Sequence, residues 1–123
     1  MIYPYPVTQK EWGTSQKVFE LNGVEMHRIV VKPGGFCSIH LHKRMNNLFV
    51  VEYGQLSVMI GKIIDDKFVL DEQRILNDGD QVDIPAGIWH QFEAIRDTVA
   101  LEVYWVDTGG VDIVRYTTGG IRV

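Results

Sequence analysis

The chain has 123 residues, 46% of them hydrophobic, a formal net charge of -4 and a pI near 5.5. That size suits one domain, 1-123, able to bury about two-thirds of its unfolded surface. The acidic balance argues against a nucleic-acid or membrane-surface role, since both need clustered positive charge, and apolar runs such as Leu48 to Val51 fall far short of a membrane span.

In chain order, Met1-Ile2-Tyr3-Pro4-Tyr5-Pro6 has two prolines and no apolar core, so it does not read as a signal peptide. Val7 to Lys17 is the one helix candidate, with Thr8 as its N-cap. Beyond it the period is two. Val24 to Val31, Phe36 to Leu41, Asn47 to Tyr53, Gln55 to Ile60, Phe68 to Leu76, Ile88 to Ile95 and Val99 to Val106 read as strands rich in Val, Ile and aromatics. Pro33-Gly34-Gly35, Gly54, Asp65-Asp66, Asn77-Asp78-Gly79-Asp80, Pro85-Ala86-Gly87 and Arg96-Asp97 punctuate them as turns. Short strands at this spacing predict an all-β sandwich or barrel. The last segment, Asp112 to Val123, is expected to cover a sheet edge or pack on a partner subunit.

Three of the four histidines fall in two short stretches, Ser38-Ile39-His40-Leu41-His42 and Ile88-Trp89-His90. Neutral imidazole is the commonest metal ligand and a ready acid or base near neutral pH. On a strand, residues two apart share a face, so Ser38, His40 and His42 should point one way and Cys37, Ile39 and Leu41 the other. Two imidazoles spaced about 7 Å at their Cα atoms can converge on one ion, with His90 on a later strand as a third donor. Cys37 is the only cysteine, which excludes an intrachain disulfide and fits a reducing cytoplasm. It reads as a buried thiol, Ser38 as non-catalytic, His27 as structural, and Trp89, Phe92 and Trp105 as core or pocket wall.

The spacing around these histidines is specific. Gly34, five residues, His40, one residue, His42, four residues, Asn47, six residues and Gly54 form one block; Gly79, five residues, Pro85, one residue, Gly87, two residues and His90 form another. This resembles the two-part signature of the cupin family, small β-barrels of the jelly-roll or double-stranded β-helix type with a central metal site. The loop His42-Lys43-Arg44-Met45-Asn46-Asn47, the run Ile84 to His90 and the ending Val106 to Tyr116 are similar to the cupin domain of bacterial mannose-6-phosphate isomerases, the type often fused to a guanylyltransferase.

The resemblance implies a metal site of His40, His42 and His90, with Asn47, or Asn46 if the loop is one residue shorter, where the family carries glutamate. The amide is neutral, so the site would lack one anionic ligand. The resemblance implies a divalent metal (Zn, Fe, Mn or Co), a sugar-phosphate ligand, a cytoplasmic homodimer and metal-assisted proton transfer between C1 and C2. Arg44, or Lys43, would neutralise phosphate or enediolate charge. The base would be Glu93, Glu102 or a water, and Glu52 should lie on the face opposite Asn47. Two alternatives stay open. One is a three-histidine Fe(II) dioxygenase. The other is a metal-free cupin that binds a sugar or nucleotide sugar, or acts as a ketoisomerase.

Overall fold

The computed structural model describes residues 5–106. Their elements are β1 (Val7–Lys10), β2 (Gly13–Leu21), β3 (Val24–Val31), β4 (Asn46–Tyr53), β5 (Leu56–Ile64), β6 (Lys67–Leu76), β7 (Gln81–Ile84), β8 (Trp89–Ala94) and β9 (Thr98–Trp105). The described residues contain no helix, and so none long and apolar enough to cross a membrane. The ending Val106 to Tyr116 lies almost wholly outside the described residues, as does the segment Asp112 to Val123.

The strands form two antiparallel sheets, β1-β2-β3-β9-β4-β7 and β6-β5-β8. Alternation decides which side chains face inward. On β4, Asn47, Phe49 and Val51 are buried; on β8, His90, Phe92 and Ala94; on β9, Thr98, Ala100 and Glu102. Residues from both sheets join one apolar core, where Phe49 meets Phe92 edge-on at 5.9 Å. This is the all-β architecture expected from the period-two pattern, in the jelly-roll form that the cupin resemblance implies. Tight turns set its hairpins: Asn22-Gly23 and Asp65-Asp66 all have positive φ, as a two-residue hairpin turn matching the strand twist requires.

Val7 to Lys17 is a β-hairpin and not a helix. Lys10 pairs with Gly13 across a tight turn, and β2 continues into a ladder with β3. A Cβ at Gly13 would sit 1.9 Å from the Val30 carbonyl oxygen, so β2 lies directly against β3 there. Sheet pairing overrides the weak helical pattern. At the other end of the fold Gly54, the last residue of the first histidine block, has φ 111 and a Cβ would meet the Asp97 carbonyl at 2.3 Å. Its place in the motif is a matter of close backbone approach.

The segment predicted as the strand Phe36 to Leu41 is an irregular edge along β8, with bridges only at Phe36↔Glu93 and His40↔His90. After β3, Gly34 turns the chain, and the Gly34 amide donates to the Ala94 carbonyl at 2.8 Å. Between the two bridges the Cys37 N–H donates to the Phe92 carbonyl at 3.2 Å, and side chains take other ladder positions. The Gln91 amide donates to the Cys37 carbonyl at 2.7 Å, and the Phe92 N–H donates to the Cys37 thiol at 3.2 Å. These bonds compete with regular pairing and break the strand.

Candidate metal centre

The two histidine blocks meet through their backbones. His40 N–H donates to the His90 carbonyl at 3.0 Å, and His90 N–H returns the bond at 2.9 Å. Gly87 N–H donates to the His42 carbonyl at 2.7 Å, so the Pro85-Ala86-Gly87 turn closes the same pairing. The ring centroids then lie 4.5 Å apart for His40 and His90, 5.1 Å for His40 and His42, and 5.6 Å for His42 and His90. One nitrogen from each ring falls within 4.8 Å of the others, a spacing that can hold a single ion. Among the described residues this is the group of His, Cys, Asp and Glu that meets that test.

Local hydrogen bonds orient the donors. His90 Nδ1 lies 2.9 Å from the Ile88 carbonyl and His40 Nδ1 lies 2.8 Å from the Ser38 carbonyl. A carbonyl only accepts, so each Nδ1 carries the proton and each Nε2 keeps its lone pair. This is the arrangement that presents imidazole to a metal. His42 Nε2 is buried without a hydrogen-bond partner, and so is Asn47 Oδ1. Burial, reinforced by the neighbouring imidazoles, pushes His90 down to about 4 and lowers His42 as well. Neutral rings with free lone pairs and two orphaned polar atoms fit a bound cation.

Asn47 is fully buried, and its Nδ2 lies 3.5 Å from His90 Nε2. To act as a ligand the amide would turn its oxygen to that side. The acidic candidates separate clearly. Glu52 and Glu93 are exposed, while Glu102 on β9 is buried. The Tyr104 hydroxyl donates to Glu102 and the Asn47 amide is a second partner. Burial raises the Glu102 pKa above the ordinary carboxylate range, against these hydrogen bonds. Arg44 and Lys43 are exposed on the loop between His42 and β4.

A cavity of about 290 Å³ adjoins the cluster, walled by Lys10, Trp12, Ser15, His27, Cys37, Ser38, His40, Phe92, Glu102 and Tyr104. A larger one, about 760 Å³ and mostly apolar, shares Lys10, Trp12, Cys37 and Ser38 with it. Cys37 and His40 thus line one cavity, where strand alternation would have separated them. The irregular edge along β8 removes the strict alternation. His27 also lines this wall, 3.2 Å from a Glu25 oxygen and edge-on to Tyr104 at 5.6 Å. Lys10, Trp12 and Ser15 are the cavity residues that sequence reasoning missed. Tyr104 was visible in the alternation of β9, whereas Lys10 was hidden by the helical reading of its hairpin.

The Cys37 thiol is buried and its pKa is pushed up to about 12, chiefly by desolvation. It should resist a disulfide reagent at pH 8 in the native protein and react fully in denaturant. Rapid labelling of the folded chain would contradict this placement.

A family model for the cupin domain matches residues 27–107. The chain belongs to the cupin family. No curated protein matches its sequence. Among solved structures, this cupin is similar to KdgF from Halomonas sp., with a TM-score of 0.71 at 16% identity over 84% of this chain and 87% of that one. An RmlC-like cupin from Shewanella frigidimarina aligns with a TM-score of 0.66 at 15% identity, over 85% and 86% of the two chains. The oxalate decarboxylase of Bacillus subtilis, which has Mn(II) centres, aligns at 0.68 and 19% identity, over 86% of this cupin and 28% of that enzyme. At these identities the likeness concerns the fold.

Proposed function

We propose that this chain is a single-domain, metal-binding cupin that isomerises a sugar phosphate. The observation that carries the metal reading is the convergence of three histidine rings beside an orphaned His42 Nε2 and Asn47 Oδ1. His40, His42 and His90 would hold the ion, with the Asn47 amide oxygen as a fourth donor. Zn, Fe, Mn or Co suits such a donor set, and Mn(II) in oxalate decarboxylase gives a precedent on the same fold. A divalent ion bound there would polarise the carbonyl oxygen of an open-chain sugar.

The chain's own groups supply the rest. Glu102 is the carboxylate on the cavity wall with His40, and it would move the proton between C1 and C2. The Tyr104 hydroxyl holds that carboxylate in place, and the Asn47 amide donates to it until its oxygen turns to the ion. Arg44 and Lys43 would attract the anionic substrate to the mouth. The sugar-phosphate assignment rests on the likeness of the His42 to Asn47 loop and the Ile84 to His90 run to mannose-6-phosphate isomerases.

Metal content of the purified protein tests the first step. Wild type should carry stoichiometric metal, and His42→Ala should bind it at least about tenfold more weakly. Metal-free wild type that cannot be loaded would sink the metal reading and favour a metal-free sugar-binding or ketoisomerase cupin. Interconversion of mannose and fructose phosphates with Zn, Co or Mn tests the reaction; none with any metal removes the isomerase. A three-histidine Fe(II) dioxygenase is favoured by the lack of a carboxylate in the donor group, and oxygen uptake by iron-loaded protein would reveal it.

The cytoplasm, suggested by the lone buried thiol, is the proposed location. A homodimer is the proposed assembly: Val99, Leu101 and Val103 on β9 point away from the core beside Leu48 and Val50 of β4, leaving an apolar outer face. Sedimentation should give a dimer at micromolar concentration, and a monomer would refute it.

A further inference from the structure

We infer that Lys10, carried over the cavity by the β1–β2 hairpin, is the residue that holds the anionic end of this cupin's ligand. The inference rests on reading the cavity beside the three histidines as the ligand site. Lys10 lies on its wall together with His27, Ser38, His40, Glu102 and Tyr104. Among the described residues lining that wall it is the one Lys or Arg, and it forms no ion pair with any described residue. Its cross-strand partner is Gly13, so no side chain stands opposite it on the hairpin.

Charge complementarity defines the ligand. Glu102, the carboxylate of the wall, is turned to the Tyr104 hydroxyl and the Asn47 amide and leaves Lys10 uncompensated. Asn47 adds no negative charge where the ion would sit, so three neutral imidazoles and an amide leave a divalent ion's charge unbalanced. A molecule reaching from the histidines to Lys10 would therefore meet positive charge at both ends. A cavity of about 290 Å³ takes only a small molecule. The chemistry is a short polyhydroxy chain with an anionic terminus, a phosphate monoester or a carboxylate. Specificity would come from the terminus, because a neutral sugar leaves the lysine unpaired.

Calorimetric binding to the metal-loaded full chain tests this with inorganic phosphate, mannose 6-phosphate, gluconate and mannose. Lys10→Gln should weaken binding of the anionic ligands by about tenfold or more. It should leave mannose affinity and metal content unchanged, and Lys10→Arg should restore most of the loss. Phosphate and gluconate compared in wild type tell which terminus is preferred. The idea is overturned if no anion binds wild type, if Lys10→Gln binds anions as wild type does, or if mannose loses as much affinity. It is overturned equally if the loss appears in Arg44→Gln instead. Lys10-dependent anion binding without sugar-phosphate turnover would remove the isomerase reading and leave this one standing.

Discussion

Asn47→Asp is expected to tighten divalent-metal binding by roughly ten- to a hundredfold, because ligand charge governs affinity at such sites. A carboxylate has oxygen on both ends, so it needs no turn of the group to face His90, where Asn47 now places Nδ2 at 3.5 Å. The same change should destabilise the metal-free protein. Position 47 is fully buried, and the introduced carboxylate would lose the amide donor that Glu102 accepts. Leaving a buried charge uncompensated costs about 3–5 kcal/mol. The variant should therefore need metal far more than wild type does. Chelator competition gives the affinity, and urea unfolding with and without zinc gives the stability. Unchanged or weaker metal binding would show that position 47 does not face the ion.

The opposed outcomes trace to one residue near the start of β4, and that residue was readable in advance. The first block placed Asn47 at an acidic position of the family, and β4 buries it as its alternation predicts. β3 spans Val24–Val31, as its period-two pattern indicates, because alternate residues there face a real core. Legibility fails where alternation does. Thr14 to Lys17 in β2 is polar on both faces and carries no period, and β7 alternates over only four residues, too few to stand out. The Phe36 to His42 edge keeps its histidines together through backbone bonds to β8, not through strand alternation. Sequence spacing announced that the two blocks belong together but contained nothing of their mutual hydrogen bonds. Nor could it show Lys10, whose approach to the cavity depends on a hairpin closed by Gly13.

Acid should weaken the metal-free protein by about 3 kcal/mol through His90 alone, between pH 6.5 and about 4. His90 is 1% exposed, and burial holds its folded pKa at about 4 against an ordinary 6.5. Below pH 6.5 the unfolded chain takes up a proton that the folded chain refuses, so stability falls until the folded ring also titrates. His42, lowered for the same reason, pulls in the same direction. Glu102 opposes them: its raised pKa gives stability that is present at low pH and lost as pH rises through the folded value. The His90 contribution is therefore read as the difference between wild type and a variant that lacks the titrating ring. Urea unfolding of chelator-treated protein from pH 7.5 to 4.5 measures both, and His90→Gln, which cannot titrate, should lose about 3 kcal/mol less stability than wild type over that range. The same profile in the variant as in wild type would contradict a neutral, desolvated His90. With metal bound the drop should be steeper, because each histidine that gains a proton gives up its ligand lone pair.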